Sequence, residues 1–214
     1  ISFNGLKSVT QDKISLVTNS DIRKNILPIL NIQLYKNTLF FNSKAVETTI
    51  LNQFPVVKNV KIFKDFPHSI VMDITERTAL GTWCFNASCQ YFDEEGILWG
   101  EALKSSGVLL LVVDDLRPVS KENQKRIESN LLEKIKETVK SLNNLDLKTS
   151  KLEITQDSIN DFRVYVAQNY YLIFSTEFDI KTQIKVLKIF ISNQHKDFNP
   201  EYIDLRCEGR VYYK

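Results

Sequence analysis

The most constraining stretch of the sequence is its last, Pro200-Glu-Tyr-Ile-Asp-Leu-Arg-Cys-Glu-Gly-Arg-Val-Tyr-Tyr213. Ile203, Leu205, Cys207, Val211 and Tyr213 share one parity. Tyr202, Asp204, Arg206, Glu208, Arg210 and Tyr212 share the other. Period-two alternation predicts a strand with one apolar and one polar face, packed on a core. A sheet must therefore exist upstream to receive it. If the strand lies at the sheet margin, its free N–H and C=O groups can accept a strand from another chain. An ordinary closing strand without a partner fits the same pattern. On this reading Cys207 is a small core residue, and Gly209→Pro removes a ladder donor.

A chain of 214 residues holds one large domain or two small ones. Its 43% hydrophobic and 25% charged content is that of an ordinary globular protein. The net charge of +2 supplies no basic field for nucleic acid. No apolar run approaches the length of a membrane span. The chain starts at Ile1 rather than Met, which reads as a trimmed or processed product with a signal or anchor missing upstream.

Reactive chemistry is sparse. Cys84 and Cys89 are spaced too widely for the usual metal-ligand pair, and no second pair accompanies them, so zinc is rejected. A hairpin that sets the two opposite each other permits a disulfide, which needs an oxidising compartment; two reduced buried thiols fit equally well. His68 and His195 have no nearby ligand pattern and read as surface residues. There is no G-x-S-x-G, P-loop or G-x-G-x-x-G. No cofactor or metal is expected; a catalytic pairing of Cys207 with either histidine would have to form in space, and no sequence pattern supports it.

Ile1 to Leu16 reads as one or two strand pieces broken at Gly5. Thr18-Asn-Ser-Asp21 supplies helix-capping residues before Ile22, Ile26 and Ile29 or Leu30, and Pro28 weakens or ends that helix early. Asn42-Ser43 caps a second helix, with Val46, Ile50 and Phe54 on one stripe and Pro55 as its stop. Val56 to Phe63 and Ser69 to Glu76 alternate as strands around a turn at Asp65-Phe-Pro67. Ile70, Met72 and Ile74 point inward. The order strand, helix, helix, strand, strand predicts an α+β unit with two helices on a three-stranded sheet.

Several pieces then line up in a familiar order: Thr18-Asn-Ser-Asp-Ile-Arg-Lys-Asn-Ile26, Asn37-Thr-Leu-Phe-Phe-Asn42, Phe54-Pro-Val-Val-Lys-Asn-Val-Lys-Ile62, Phe66-Pro-His-Ser-Ile70 and Ile74-Thr-Glu-Arg77. Together they resemble a POTRA domain, and most closely that of the bacterial FtsQ/DivIB division family. Each piece alone is weak; their order and spacing carry the resemblance.

Downstream, Gly81 to Trp99 reads as paired hairpins, with Asp93-Glu-Glu-Gly96 a turn whose acidic residues are solvated. Val108 to Val113 suits a strand buried on both faces. Lys121 to Leu142 reads as an amphipathic helix with Ile127, Leu131, Ile135, Val139 and Leu142 on its stripe. Leu152 to Ile154, Phe162 to Val166 and Tyr171 to Phe174 are strands, the last two joined by a tight turn at Gln168-Asn169. Thr176 is expected to cap a helix over 177–193, with Ile180, Ile184, Leu187 and Ile191 buried. Tyr91-Phe-Asp-Glu-Glu-Gly-Ile97 and Tyr202-Ile-Asp-Leu-Arg206 both resemble the β domain of the same family. The expected domains are a POTRA domain at 1–79 and a larger mixed β domain with flanking helices at 80–214.

The resemblance implies a non-enzymatic scaffold of the bacterial divisome. It implies a single-pass cell-membrane protein of the division septum, with this portion extracytoplasmic and its anchor upstream. Its implied partners are FtsB/FtsL-like coiled-coil division proteins and other divisome components, docked in part by strand addition at the last strand. The positions implied for partner binding are Arg206, Cys207, Glu208, Gly209, Arg210, Val211 and Tyr212. Arg206 and Arg210 share a face suited to acidic partner residues. The family pattern often has Tyr where this chain has Cys207. A POTRA-type peptide-binding chaperone module of outer-membrane assembly or secretion is the alternative; such chains usually repeat the unit and continue into a barrel.

Overall fold

In the computed structural model, residues 2–9, 11–15, 42–65, 69–85, 88–103, 110–118, 125–195 and 198–214 are described. The chain divides into two units, Ile1–Thr78 and Ala79–Lys214. The class is α+β in both.

The first unit runs β1 (Ser2–Asn4), a helical segment α1 (residues 11–15), α2 (Ser43–Gln53), β2 (Val57–Asp65) and β3 (Ser69–Glu76). The sheet order is β1-β3-β2, with β1 parallel and β2 antiparallel to β3. Asn42 caps α2 as expected, its side-chain oxygen accepting from the Ala45 N–H at 3.2 Å. Ile70, Met72 and Ile74 face a core shared with Val46, Ile50, Val57 and Val60. One expectation fails here. Residues 11–15 are helical rather than extended, and Ile14 is fully buried in that same core. The chain leaves β1 at Gly5, where φ is +81° and a Cβ would collide with the Ile74 carbonyl oxygen. The expected first-helix residues from Thr18 to Leu30, the loop at Asn37 to Phe41 and the Phe66-Pro67-His68 turn lie outside the described residues.

Glu76 ties this unit together. Its carboxylate accepts from the backbone N–H groups of Lys7 (2.8 Å), Ser8 (2.9 Å) and Val9 (3.1 Å), and from the Ser8 hydroxyl. Burial alone would raise its pKa, but these hydrogen bonds to the charged form outweigh it and hold the value at about 2, against an ordinary 4.5. Next to it, Arg77 donates from its backbone N–H to Val56 O (2.7 Å) and from Nε to Pro55 O (3.1 Å). The Pro55-Val56 stop of α2 and the Glu76-Arg77 end of β3 therefore close on each other.

Among the described residues the second unit is a nine-stranded mixed sheet with two helices. Its elements are β4 (Gly81–Phe85), β5 (Ser88–Phe92), β6 (Leu98–Ala102), β7 (Leu111–Asp115), α3 (Ser129–Asn143), β8 (Thr149–Ile154), β9 (Asp161–Val166), β10 (Tyr171–Ser175), α4 (Ile180–Ser192), β11 (Tyr202–Asp204) and β12 (Tyr212–Tyr213). The order is β12-β11-β10-β9-β8-β7-β4-β5-β6. Neighbours pair antiparallel except β4 with β7, β7 with β8, and β10 with β11, which run parallel. Alternate residues such as Trp83, Phe92, Leu152, Val164, Leu172 and Ile203 form one apolar face. The buried stripes of α3 (Leu131, Leu132, Ile135, Leu142) and α4 (Ile180, Leu187) pack against it.

Several boundaries differ from the sequence-based expectation. The buried strand β7 begins at Leu111 and runs into Asp114 and Asp115; Val108 and Leu109 lie outside the described residues. Asp115 is buried because it accepts from Trp83 Nε1 (3.2 Å) and pairs with Arg117 (2.8 Å). Helix α3 starts at Ser129, and Ile127 precedes it. There Arg126 instead forms an antiparallel bridge with Ile97, just before β6, and Ile127 N–H donates to Gly96 O at 2.8 Å. Asp179, not Thr176, caps α4, accepting from the Thr182 N–H at 2.9 Å. In the acidic turn Glu94 and Glu95 are exposed, but Asp93 is buried and accepts from the Glu95 and Ile97 N–H groups. Cys84 and Cys89 are directly opposed in the β4–β5 hairpin and form a disulfide. The tight turn at Gln168-Asn169 is as expected, with Asn169 at φ +67°.

Two outcomes follow from these bonds. Because the folded pKa of Glu76 lies below its ordinary value, its contribution is full above pH 4.5 and is lost as pH falls towards 2. Glu76→Gln should lower stability at neutral pH by on the order of 1 kcal/mol, solvent exposure limiting the effect. It should also flatten the acid limb of the stability profile, read by urea melts across that range. Separately, Cys84→Ala/Cys89→Ala, opening a loop of sequence separation 5, should cost about 2 kcal/mol in denaturant melts.

Candidate functional site

The closing stretch is two strands, not one. β11 lies parallel to β10, with Tyr171 opposite Tyr202 and Ile173 opposite Asp204. Ile203 and Leu205 are buried on the core face, and Leu205 N–H donates to Ile173 O at 2.9 Å. The strand then stops. Cys207 to Arg210 turns the chain, Arg210 N–H donating to Cys207 O at 3.1 Å, with Gly209 at φ +69°. β12 returns antiparallel to β11, pairing Ile203 with Tyr213 and Asp204 with Tyr212.

The expectation of an unbroken amphipathic strand is therefore corrected, and the reason is the left-handed backbone at Gly209, which no strand contains. Cys207 is corrected with it. Its thiol is free and exposed in the turn, not part of the core. Gly209 is no ladder residue either, so the argument that Gly209→Pro removes a ladder donor falls. Proline would fail there because its φ is locked near −65°.

The expected partner-binding residues separate into three environments. Glu208, Gly209 and Arg210 sit with Cys207 on the exposed turn. Val211 is half-buried against the core, and Tyr212 is 50% exposed on the outermost strand. Arg206 is engaged inside the chain. Its Nη2 and Nε donate to Asp204 (2.7 and 3.0 Å) and its Nη1 to Asp161 (2.8 Å). Hydrogen bonding to Asp204, and then to Asp161, raises the guanidinium pKa further against the opposing effect of burial. Asp204 is shifted the other way: burial would raise its pKa, and Arg206 more than reverses that.

Other groups in the site were hidden in the sequence. Tyr213 packs its ring against Phe190 of α4 (5.3 Å between centroids) and Phe198 (5.4 Å), which also touch each other. Phe190 is offset from the Ile184, Leu187, Ile191 stripe, and only the tertiary fold brings Tyr213 to it. Tyr202, Tyr171 and Tyr165 stack in a row across β11, β10 and β9. Gln183, buried in α4, accepts from Ser175 N–H (2.9 Å) and donates to Ser175 O (2.8 Å), closing the end of β10 as a strand would.

The main-chain geometry defines an edge. Lys214 N–H donates to Tyr202 O at 3.3 Å, so it faces β11. Alternation along an antiparallel ladder then turns the N–H and C=O of Tyr213 outward. Among the described residues no strand pairs with that outer side of β12. Among the same residues no group of three or more His, Cys, Asp or Glu is placed to hold a metal, and no helix is long and apolar enough to cross a membrane. His195 is exposed; His68 lies outside the described residues.

Comparison with known proteins gives two findings. Residues 9–77 match the family model of the FtsQ-type POTRA domain. The chain is also 25% identical over 220 residues to the cell division protein DivIB of Clostridium acetobutylicum, a match covering 100% of this chain and 80% of that protein.

The turn yields a clean test. A Cβ at Gly209 meets nothing within 4 Å, so only backbone conformation opposes a side chain there. Gly209→Ala should therefore destabilise the closing hairpin by about 1 kcal/mol, and Gly209→Asn by less. Hydrogen exchange at Arg210 and Lys214 reads the difference.

Proposed function

We propose that the chain belongs to the FtsQ/DivIB family of cell-division proteins and acts there as a non-enzymatic divisome scaffold whose β12 edge receives a strand of an FtsB/FtsL-type coiled-coil partner. On this reading the POTRA domain comprises residues 1–79 and the partner-binding β domain residues 80–214. The observation that carries the proposal is the outward-facing main chain of β12 at the end of a nine-stranded sheet. Unpaired N–H and C=O groups at a sheet edge are a template for another strand, and adjacent side chains set its identity. Tyr212 on the strand, with Glu208 and Arg210 in the turn, are exposed beside it. The Cys84–Cys89 disulfide suits an oxidising, extracytoplasmic setting at the septum.

Strand addition can be separated from side-chain packing at Tyr213. Its N–H faces outward, where an edge strand tolerates proline without losing an internal bond. Tyr213→Ala removes the ring but keeps that donor; Tyr213→Pro removes both. Affinity for a purified FtsB/FtsL-type complex should fall about tenfold further for the proline variant than for the alanine variant, one main-chain hydrogen bond's worth. Equal affinities for the two would mean that the partner docks elsewhere.

A further inference from the structure

We infer that Arg206 is a positioning residue: it splints the start of the 207–210 turn to β9 and thereby sets the register of the β12 edge, rather than meeting a partner itself. The inference rests on the edge reading above for its consequence, but its geometry is independent of any partner.

Arg206 lies two residues beyond the end of β11. Its guanidinium reaches back to Asp204 on β11 and across to Asp161 at the start of β9. β9 and β11 do not pair with each other; β10 lies between them. The side chain therefore crosses a whole intervening strand. Asp161 is opposite Ser175, and Asp204 opposite Ile173, so Arg206 bridges over the last residues of β10. All three guanidinium nitrogens already donate: Nε and Nη2 to Asp204, Nη1 to Asp161. The two carboxylates are well shielded, with side-chain exposures of 21% for Asp161 and 15% for Asp204. Forked, charge-assisted contacts of this kind are the strong class, and a lysine ammonium does not reproduce their geometry.

The main-chain ladder of the edge is short, although Ile203 and Leu205 are buried and Tyr213 packs on Phe190 and Phe198. β11 is three residues long and β12 two. An element held by so few ladder bonds opens easily, so one cross-strand clamp has leverage on it. Removing Arg206 would also leave two carboxylates facing one site with no cation between them. Recognition then falls to the exposed groups of the turn and outer strand, Glu208 and the Arg210–Tyr212 pair, whose side chains hydrogen-bond to each other.

Arg206→Lys, Asp161→Asn and the double variant separate positioning from contact. In the isolated chain, exchange at the Lys214 and Arg210 amides should speed up by about tenfold in each single variant and no further in the double, as expected for two groups acting as one unit. Unchanged exchange across β8 and β9 in the same samples verifies the fold. With an FtsB/FtsL-type partner, both single variants should weaken binding by a similar factor, and the salt dependence of affinity should stay at the wild-type slope. Unaltered Lys214 and Arg210 exchange in Arg206→Lys overturns the inference. So does weakened binding in Arg206→Lys alone with a shallower salt slope, the signature of a direct ion pair with the partner. If the wild-type chain fails to bind the partner, the edge reading falls, and the exchange measurement still decides the role of Arg206.

Discussion

One demand places every strand of the second unit: the apolar residues at alternate positions must meet the buried stripes of α3 and α4. Burying a large aliphatic or aromatic side chain is favourable by about 1.5–3 kcal/mol, and the face from Phe92 to Ile203 carries many of them. Strand registers follow, because a slip by one residue would turn that whole set away from the helices. The closing hairpin is where this demand ends. Ile203 and Leu205 still satisfy it, fully buried beside β10. The next residue of that parity is Cys207, a weak apolar anchor two residues before Gly209. The chain is free to turn, and it does.

Polar groups do the complementary work of finishing elements that apolar packing only gathers. Glu76 and Arg77 close the first unit by binding the 7–9 loop and the end of α2. Gln183 finishes β10, Asp93 finishes the acidic turn, and Asp204 with Arg206 finishes β11. In each case a side chain supplies the donor or acceptor that a missing strand or helix turn would have supplied. That is the general solution for buried main-chain groups at an element's end. It also gives a physical reason for two sequence pieces that carried the family resemblance. Ile74-Thr-Glu-Arg77 and Tyr202-Ile-Asp-Leu-Arg206 each end a strand with an acid and a base that hold neighbouring chain in place.

The sequence conveyed the parts governed by local periodicity. The stripe of Val46 and Ile50, the inward set Ile70, Met72 and Ile74, and the Asn169 turn are all as their spacing suggests. What it concealed were outcomes decided at a distance. Ile127 fits the α3 stripe by spacing, yet Gly96 offers its N–H a carbonyl and draws it into a bridge. Thr176 and Asp179 are both good caps, and the choice between them depends on where β10 ends. Arg206 and Asp161 are 45 residues apart, so nothing local marks them as a pair. Cys207 keeps the parity of Ile203 and Leu205, but β11 ends at Asp204 and the turn that Gly209 permits leaves the thiol exposed.

This division of labour bears on how such an edge can be specific. A two-residue strand offers an incoming segment only a few main-chain bonds, each worth about 1 kcal/mol net. That is far short of a stable complex once the cost of association is met. A bare edge of this length is consequently safe against indiscriminate strand pairing. A cognate partner has to add contacts beyond the ladder. The surroundings provide candidates: Tyr212 and Tyr213 stand half-exposed, and α4, which Tyr213 touches through Phe190, carries an exposed Ile189. A partner that pairs with β12 and also lays an apolar helix face toward α4 would gain what the strand alone cannot give. On the docking proposed above, shortness of the strand, which looks like a weakness, would be the source of selectivity.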